Sequence, residues 1–351
     1  MQFKKSTIDS HMHVYKWYND NGKSFIEGFD EIQKATGLKG LCIDALTDEK
    51  HGGVEINIMA AIYKLHNPTA YAYANLFYPE TPLVPPLPQG LDPLTQYKEF
   101  MEIGFDGIKI LYKPDIQKKV ALHINDEFFE DFFAAAEKDN THFIWHVADP
   151  KANWEADFPP GPWNYSDGTY PGFDEMFEQT FDVLNKHPNL NANFAHFFFL
   201  ENEPEKLEEV FSKYKNVCID VVPGLMFRAF EKKPEYFREF LTRYADRILF
   251  GSDSEFPSNT NCEGLITAVY EGLTTDKTID LWGYKSKGIN LPDEVTDKIL
   301  YENFKAKCHP TPTPINTKAL KRYIEKYSVY MKDSPEKTEI LKFVNKSVYS
   351  K

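Results

Sequence analysis

Apolar residues along the chain fall into eight short runs rich in β-branched and aromatic residues, with longer amphipathic stretches between most of them. The runs are Thr7–Val14, Gly40–Leu46, Thr69–Phe77, Gly104–Leu111, His142–Ala148, Leu190–Phe199, Asn216–Val222 and Arg247–Phe256. Segments such as Phe128–Lys138, Phe173–Asn185 and Pro204–Tyr214 repeat apolar residues at helical spacing. Strands alternating with helices predict βαβ units and a parallel sheet. The run centres (residues 11, 43, 74, 109, 146, 196, 220 and 253) lie mostly 31 to 37 residues apart, the length of one βα unit. Eight such units predict a (β/α)8 TIM barrel. A doubly wound sheet fits less well, because Ser10-His11-Met12-His13 follows the first strand where a glycine-rich phosphate loop belongs.

Two stretches break the rhythm at strand C-terminal ends. Asp149–Gly172 and Pro79–Pro93 are rich in Pro and lack helical period. A barrel builds its site from such loops, so both are candidate pocket walls or lids. After the eighth run we expect a loop, a short helix and then a helix over Asp293–Cys308. The sequence Pro310–Pro314 breaks the chain, and a Lys-rich helical tail follows. The expected division is a barrel over residues 1–308 and a helical extension over 309–351, packed on the barrel.

Composition narrows the function. Among 351 residues, 53 acidic against 40 basic side chains give a net charge of −13, which disfavours a partner with a phosphate backbone. We therefore expect no nucleic acid and a small-molecule substrate. No uncharged apolar run approaches a membrane span, and the N-terminus has no signal core, so we expect no membrane and a cytoplasmic protein. The four cysteines lack CxxC spacing and read as free thiols. Aromatic residues reach 15%, enough to fill a large core or line a pocket. The tail after Pro314 could dock on the barrel or on a second copy, so a homo-oligomer is within expectation.

Candidate chemistry lies at the strand ends. His11 and His13, two apart on a strand, project from one face and could grip one cation. His146 ends the fifth run, His196 interrupts the sixth and Asp253 ends the eighth. Neutral imidazoles with one carboxylate suit zinc, or manganese, iron or cobalt, better than calcium or magnesium. Asp9 lies deeper with the same parity and could orient a ligand. Trp145, Trp154, Phe197, Phe198 and Phe256 flank the set. Trp145, Trp154, Phe197 and Phe256 are carried forward as candidate substrate contacts, as is Arg228, a candidate carboxylate anchor.

The ordered set IDSHMH, His146, His196 and GSD resembles the amidohydrolase superfamily. It is more narrowly similar to the amidohydrolase-related branch of aminocarboxymuconate-semialdehyde decarboxylase, hydroxybenzoate-type decarboxylases and several lactonases. The resemblance spans residues 5–308, and Ile299–Ala306 resembles the branch's closing helix. It implies one divalent metal held by His11, His13, His146 and Asp253, without a second ion, and His196 beside it against substrate or water. It implies a metal-dependent hydrolase of a small amide, lactone or related carbonyl compound, with Asp253 and His196 catalytic. The alternative is nonoxidative decarboxylation of a small aromatic acid.

Two features depart from the branch. Its strand-eight Asp is commonly followed soon by Pro, whereas Ser254-Glu255-Phe256 intervene here before Pro257. Glu255 shares the parity of Asp253 and reads either as facing the pocket or as a solvated rim carboxylate. Lys109 in GIKIL would face the barrel interior, where a lone ammonium is costly. Three readings stay open for it: a carbamate bridging two metals, as in other branches, a contact to a substrate carboxylate, or a structural ion pair.

Overall fold

A computed structural model describes residues 2–47, 53–78, 91–257 and 261–349. Each of the eight runs contains a parallel strand: β1 (Ile8–Val14), β2 (Gly40–Asp44), β3 (Ala70–Asn75), β4 (Gly107–Leu111), β5 (His142–His146), β6 (Asn191–Phe194), β7 (Cys218–Val221) and β8 (Ile248–Phe250). The eighth run is broken at Gly251-Ser252-Asp253, and its second half, β9 (Ser254–Phe256), pairs with β1 rather than β7. The ladder order β8-β7-β6-β5-β4-β3-β2-β1-β9 thus runs from one half of the broken strand round to the other. Hydrogen bonds from Ser10 Oγ to Phe250 O (2.8 Å) and from Asp253 N to His11 O (2.8 Å) stitch the closure. The fold is the (β/α)8 barrel expected from the spacing.

The helices follow the same local rules. Phe25–Thr36 begins at Ser24, whose hydroxyl and Glu27 form a reciprocal capping box, and ends at Gly37, whose φ of +78° suits glycine. Helices at Glu127–Lys138, Phe173–Lys186 and Pro204–Lys213 lie within one or two residues of expectation. Asp293–Lys307 is continuously helical with a π turn at Lys298–Glu302. Two expectations need correcting. The sixth run does not stay extended to Phe199: it leaves the ladder after Phe194, and His196–Phe199 form a left-handed turn. Beyond β9 the chain forms a full helix, Cys262–Thr274. It then makes a two-stranded hairpin, β10 (Thr278–Leu281) with β11 (Tyr284–Lys287), where a loop and short helix were expected. The proline-rich segment 79–90 lies outside the described residues.

Two apolar layers result. Most buried residues, including Ile108 and Ile110, pack between strands and helices. A smaller cluster inside the barrel joins Ile8, Cys42, Tyr71, Tyr73, Ile144 and Leu249 around Phe304, which comes from the closing helix. Phe304 plugs the end opposite the site. His142, buried there, meets the Tyr73 hydroxyl at 2.6 Å. The four cysteines are free, as expected. No helix among the described residues is long and apolar enough to cross a membrane.

The C-terminal tail packs on the barrel. Tyr323 of helix Thr317–Tyr327 meets Phe100 (5.9 Å between rings), and the Tyr327 hydroxyl donates to Glu99 Oε2 (2.8 Å). Asp106, buried just before β4, ties the two together. It accepts hydrogen bonds from Ala72 N (3.0 Å) and Thr313 N (2.7 Å) and pairs with the buried Lys64 ammonium. Replacing one partner of such a pair leaves a buried charge, at about 3–5 kcal/mol. Asp106→Ala is therefore expected to lower unfolding free energy by about that amount in urea titration, with a larger effect than Glu99→Ala.

Burial pushes the His142 pKa down to about 3. The folded chain keeps this ring neutral, while the unfolded chain protonates it below about 6.5. Stability present above that pH is lost as pH falls towards the folded value. The gap in melting temperature between wild type and His142→Gln should accordingly narrow from pH 7 to pH 4, followed by calorimetry.

Candidate metal centre and its cavity

The site sits where the strand C-terminal ends converge. β1 carries a bulge: the three steps from Asp9 to Met12 oppose two steps from Leu41 to Ile43. Such a bulge re-aims side chains, and the His11 and His13 rings stand perpendicular with centroids 4.9 Å apart. His196 reaches the site through the left-handed turn, in which four consecutive residues have φ between 54° and 59°. Non-glycine residues there cost about 1–2 kcal/mol each. The Phe197, Phe198 and Phe199 rings buried by the turn offset that cost, as does the His196 N–H donated to Asp220 Oδ1 at 2.7 Å. Asp253 is also left-handed (φ 53°), where Asp is better tolerated than most residues.

Hydrogen bonding fixes which ring nitrogens are free. His11 Nδ1 donates to Asp220 Oδ2 (2.9 Å), leaving Nε2 as an acceptor that meets Lys109 Nζ at 2.7 Å and lies 3.4 Å from Asp253 Oδ1. His13 Nδ1 donates to the Asp44 carbonyl (2.7 Å), leaving its Nε2 3.0 Å from the same oxygen. His196 Nδ1 lies 4.0 Å from Asp253 Oδ2. Ligand atoms of His11, His196 and Asp253 all fall within 4.8 Å of one another. Lone pairs facing a carboxylate repel unless a proton or a cation lies between them. This donor set therefore fits a divalent transition metal.

Electrostatics agree. Burial holds His11 well below its usual pKa and His196 at about 4, so both rings are neutral. Burial alone would raise Asp253, but His196, His13 and His11 hold it well below the usual carboxylate range. His146 ends β5 edge-on to His196 (4.9 Å). Its Nε2 has no hydrogen-bond partner and lies 3.5 Å from Asp149 Oδ1. Asp149 in turn accepts the Tyr165 hydroxyl.

A cavity of about 360 Å³ opens above these groups. His13, His146, His196, Asp253, Lys109 and Lys113 are its polar residues beside Asp149 and Glu255; Tyr15, Leu111, Phe199, Trp163 and Trp282 are among the apolar ones. Lys109, buried, donates to His11 Nε2 at 2.7 Å. Glu255 lines the cavity rather than lying solvated outside it.

Five anticipated substrate contacts lie elsewhere. Trp145 packs outside the barrel between Phe133 and Phe194 (5.5 and 5.6 Å). Phe197 is buried against Phe237, and Phe256 against Phe29 and the bare Cα of Gly28. Trp154 packs on Tyr165 and Phe173 and donates Nε1 to Pro171 O. Arg228 pairs with the buried Glu201 at 3.1 Å. A residue next to a candidate ligand in sequence need not share its pocket: strand alternation turns Trp145 and Phe256 to the helix side, while Phe197, Trp154 and Arg228 lie in a turn and in helices that engage them elsewhere.

Sequence reading passed over Asp220, Lys113, Trp163 and Trp282. Asp220 had a signal, an acid inside the apolar run NVCIDVV; the rim residues had none.

A family model described as amidohydrolase matches residues 8–303. The chain belongs to this family. No curated protein matches it. Among solved structures it is similar to a 2,6-dihydroxybenzoate decarboxylase from Rhizobium, at 15% identity and TM-score 0.55, covering 86% of this chain and 98% of that one. It is similar to a 5-carboxyvanillate decarboxylase from Sphingomonas paucimobilis, at 12% identity and TM-score 0.53, covering 86% and 98%. A Polaromonas dihydroxybenzoic acid decarboxylase, with bound manganese and the inhibitor 2-nitroresorcinol, shares 13% identity and TM-score 0.52, covering 86% and 96%. At these identities the likeness establishes the barrel alone.

Asp220 fixes His11 in the tautomer that makes Nε2 the acceptor nitrogen, so Asp220→Asn should disturb that ring without changing side-chain volume. Loss of such a supporting carboxylate typically costs 10–100-fold in metal affinity. Competition with a chromophoric chelator should show a fall in that range for zinc or manganese, with an unchanged circular dichroism spectrum.

Proposed function

We propose that this amidohydrolase-family chain is a metal-dependent decarboxylase of a small planar carboxylic acid. The observation carrying this reading is the cavity, which sets Lys109 and Lys113 beside the His/Asp donors under a largely apolar, aromatic wall. Ammonium groups in a poorly solvated pocket favour a carboxylate substrate, and aromatic walls favour a flat one. Several of the similar structures are of decarboxylases, one of them complexed with 2,6-dihydroxybenzoate, which supports this reading. The sequence placed hydrolysis first; these features reverse the order.

His11, His13, His146 and Asp253 would hold the divalent ion, with His196 adjoining. Zinc, manganese, iron and cobalt all suit that donor set. When bound, the ion supplies a Lewis acid that withdraws electron density from a coordinated carboxylate or hydroxyl. Lys109 and Lys113 hold the substrate carboxylate and orient it. Asp253 takes up one proton from water at Oδ1. As the ring-to-carboxyl bond breaks, its electron pair stays on the ring carbon, Asp253 gives that proton to it, and carbon dioxide leaves with Asp253 ionised again. His196, neutral, steadies the developing charge by hydrogen bonding.

Hydrolysis stands as the second reading on one observation: an ionised Asp253 beside His196 could also take a proton from water attacking a lactone or amide. Metal analysis and a substrate panel separate the two. The purified protein should carry about one divalent ion per chain, lost in His11→Ala. It should release carbon dioxide from hydroxybenzoates, with a drop of at least about 10³-fold in Asp253→Asn. Lactone or amide turnover without carbon dioxide would support the hydrolase instead.

A further inference from the structure

Trp163 and Trp282 are 51% and 55% exposed, and both line the cavity above the donors. The other three tryptophans are packed against rings: Trp17 on Phe25, Trp145 on Phe133 and Trp154 on Tyr165. Two large apolar surfaces left open at one cavity need a reason, because their burial would be favourable.

The backbone at Trp282 adds an independent argument. Trp282 and Gly283 form the two-residue turn of the β10–β11 hairpin, with φ of 53° and 84°. Asn-Gly or Asp-Gly suits such a turn, and a bulky residue in the left-handed region is strained. Folding alone would not place Trp there. The stem beneath it is fixed. Ile279 packs with Met226 and Phe227 around the bare Cα of Gly272. The chain leaving the hairpin is held by Ile289 N to Gly272 O and Leu291 N to Leu273 O (2.9 and 2.8 Å). Trp163 comes from the loop Asp149–Gly172, whose neighbouring Tyr165 donates its backbone N–H to Asn153 O and its hydroxyl to Asp149. Two separate insertions, each anchored at its base, thus bring an indole to the same opening.

We propose that Trp163 and Trp282 are a distal recognition element that binds the non-reacting end of an extended planar acid, at least two fused or conjugated rings long. This rests on the decarboxylase reading only for the acidic head group at the His/Asp/Lys floor. One cavity of about 360 Å³ is lined by that floor and by both indoles, so an acid long enough to touch both gains stacking that a shorter one forgoes. Indole faces reward flat, polarisable partners through stacking.

The test uses the metal-replete full chain and two probes, 2,6-dihydroxybenzoate and 1-hydroxy-2-naphthoate, titrated by tryptophan fluorescence and calorimetry. The wild type should bind the naphthoate about tenfold more tightly, with quenching of indole emission. Trp282→Asn and Trp163→Ala should each cut that preference, and the double variant should abolish it. Trp282→Asn separates recognition from folding, since Asn relieves the turn: the melting temperature should hold or rise while selectivity falls. Equal binding of the two probes by wild type, binding of neither, or a preference surviving in the double variant overturns the proposal. So does loss of self-association in Trp282→Asn with selectivity intact, which would make the indoles an interface between copies. Naphthoate selectivity without carbon dioxide release would sink the decarboxylase reading and leave the recognition element standing.

Discussion

One buried carboxylate organises the centre. Asp220, on β7 and fully buried, has no water to satisfy its oxygens, so both must find donors inside the protein. Oδ2 takes the His11 Nδ1–H and an Asn193 amide, and Oδ1 takes the backbone N–H of His196. A single side chain thereby sets the tautomer of a β1 histidine and anchors the turn presenting a β6 histidine. Burial pushes the Asp220 pKa up, and His196 and Lys109 oppose that push. The carboxylate and the cationic floor stabilise each other.

The same accounting explains the charges below. Asp9 and Asp44 are buried beside this centre, each with one oxygen lacking a hydrogen-bond partner. Burial raises Asp9 to about 7 and Asp44 well above its usual range. Lys109 is the cation that offsets Asp44, and burial lowers its own pKa in return. Lys109 Nζ lies 2.7 Å from His11 Nε2, and the side chain lines the cavity. Any carboxylate entering this space meets a charge already held in place.

Periodicity revealed the barrel because each strand and helix must match its own burial, which writes a local signal for every unit. The run NFAHFFF shows where that signal misleads: three phenylalanines after His196 look like a continuing strand, yet they are buried by a left-handed turn. His11, His13, His146, His196 and Asp253 stood out because a polar residue at the end of an apolar run breaks the pattern. Asp220 broke the pattern too, but its role appears only when β7 lies beside β6 and closes towards β1. Trp145 and Phe256 show the converse, since adjacency along a strand places a side chain on the opposite face, and Phe197 is turned away by that same left-handed turn. Trp163 and Trp282 sit in insertions whose fold owes nothing to the barrel repeat, so no periodicity could place them.

Access to the centre follows from how the interior is filled. Phe304, Tyr71, Tyr73 and Ile144 close the barrel from the far end, and Tyr73 is locked to His142. Substrate must enter from the strand C-terminal rim, past residues supplied by loops. The floor can therefore stay constant in chemistry while the rim changes the molecules admitted. In the proposed reading, the histidines, Asp253 and Lys109 would select for an acid and act on it, while the Asp149–Gly172 loop and the β10–β11 hairpin would set its length and shape. In a chain with 15% aromatic residues, most rings hold strands to helices. The rings of Trp163 and Trp282, left exposed at the opening, are not explained by core packing, which is why the proposed recognition element is placed there.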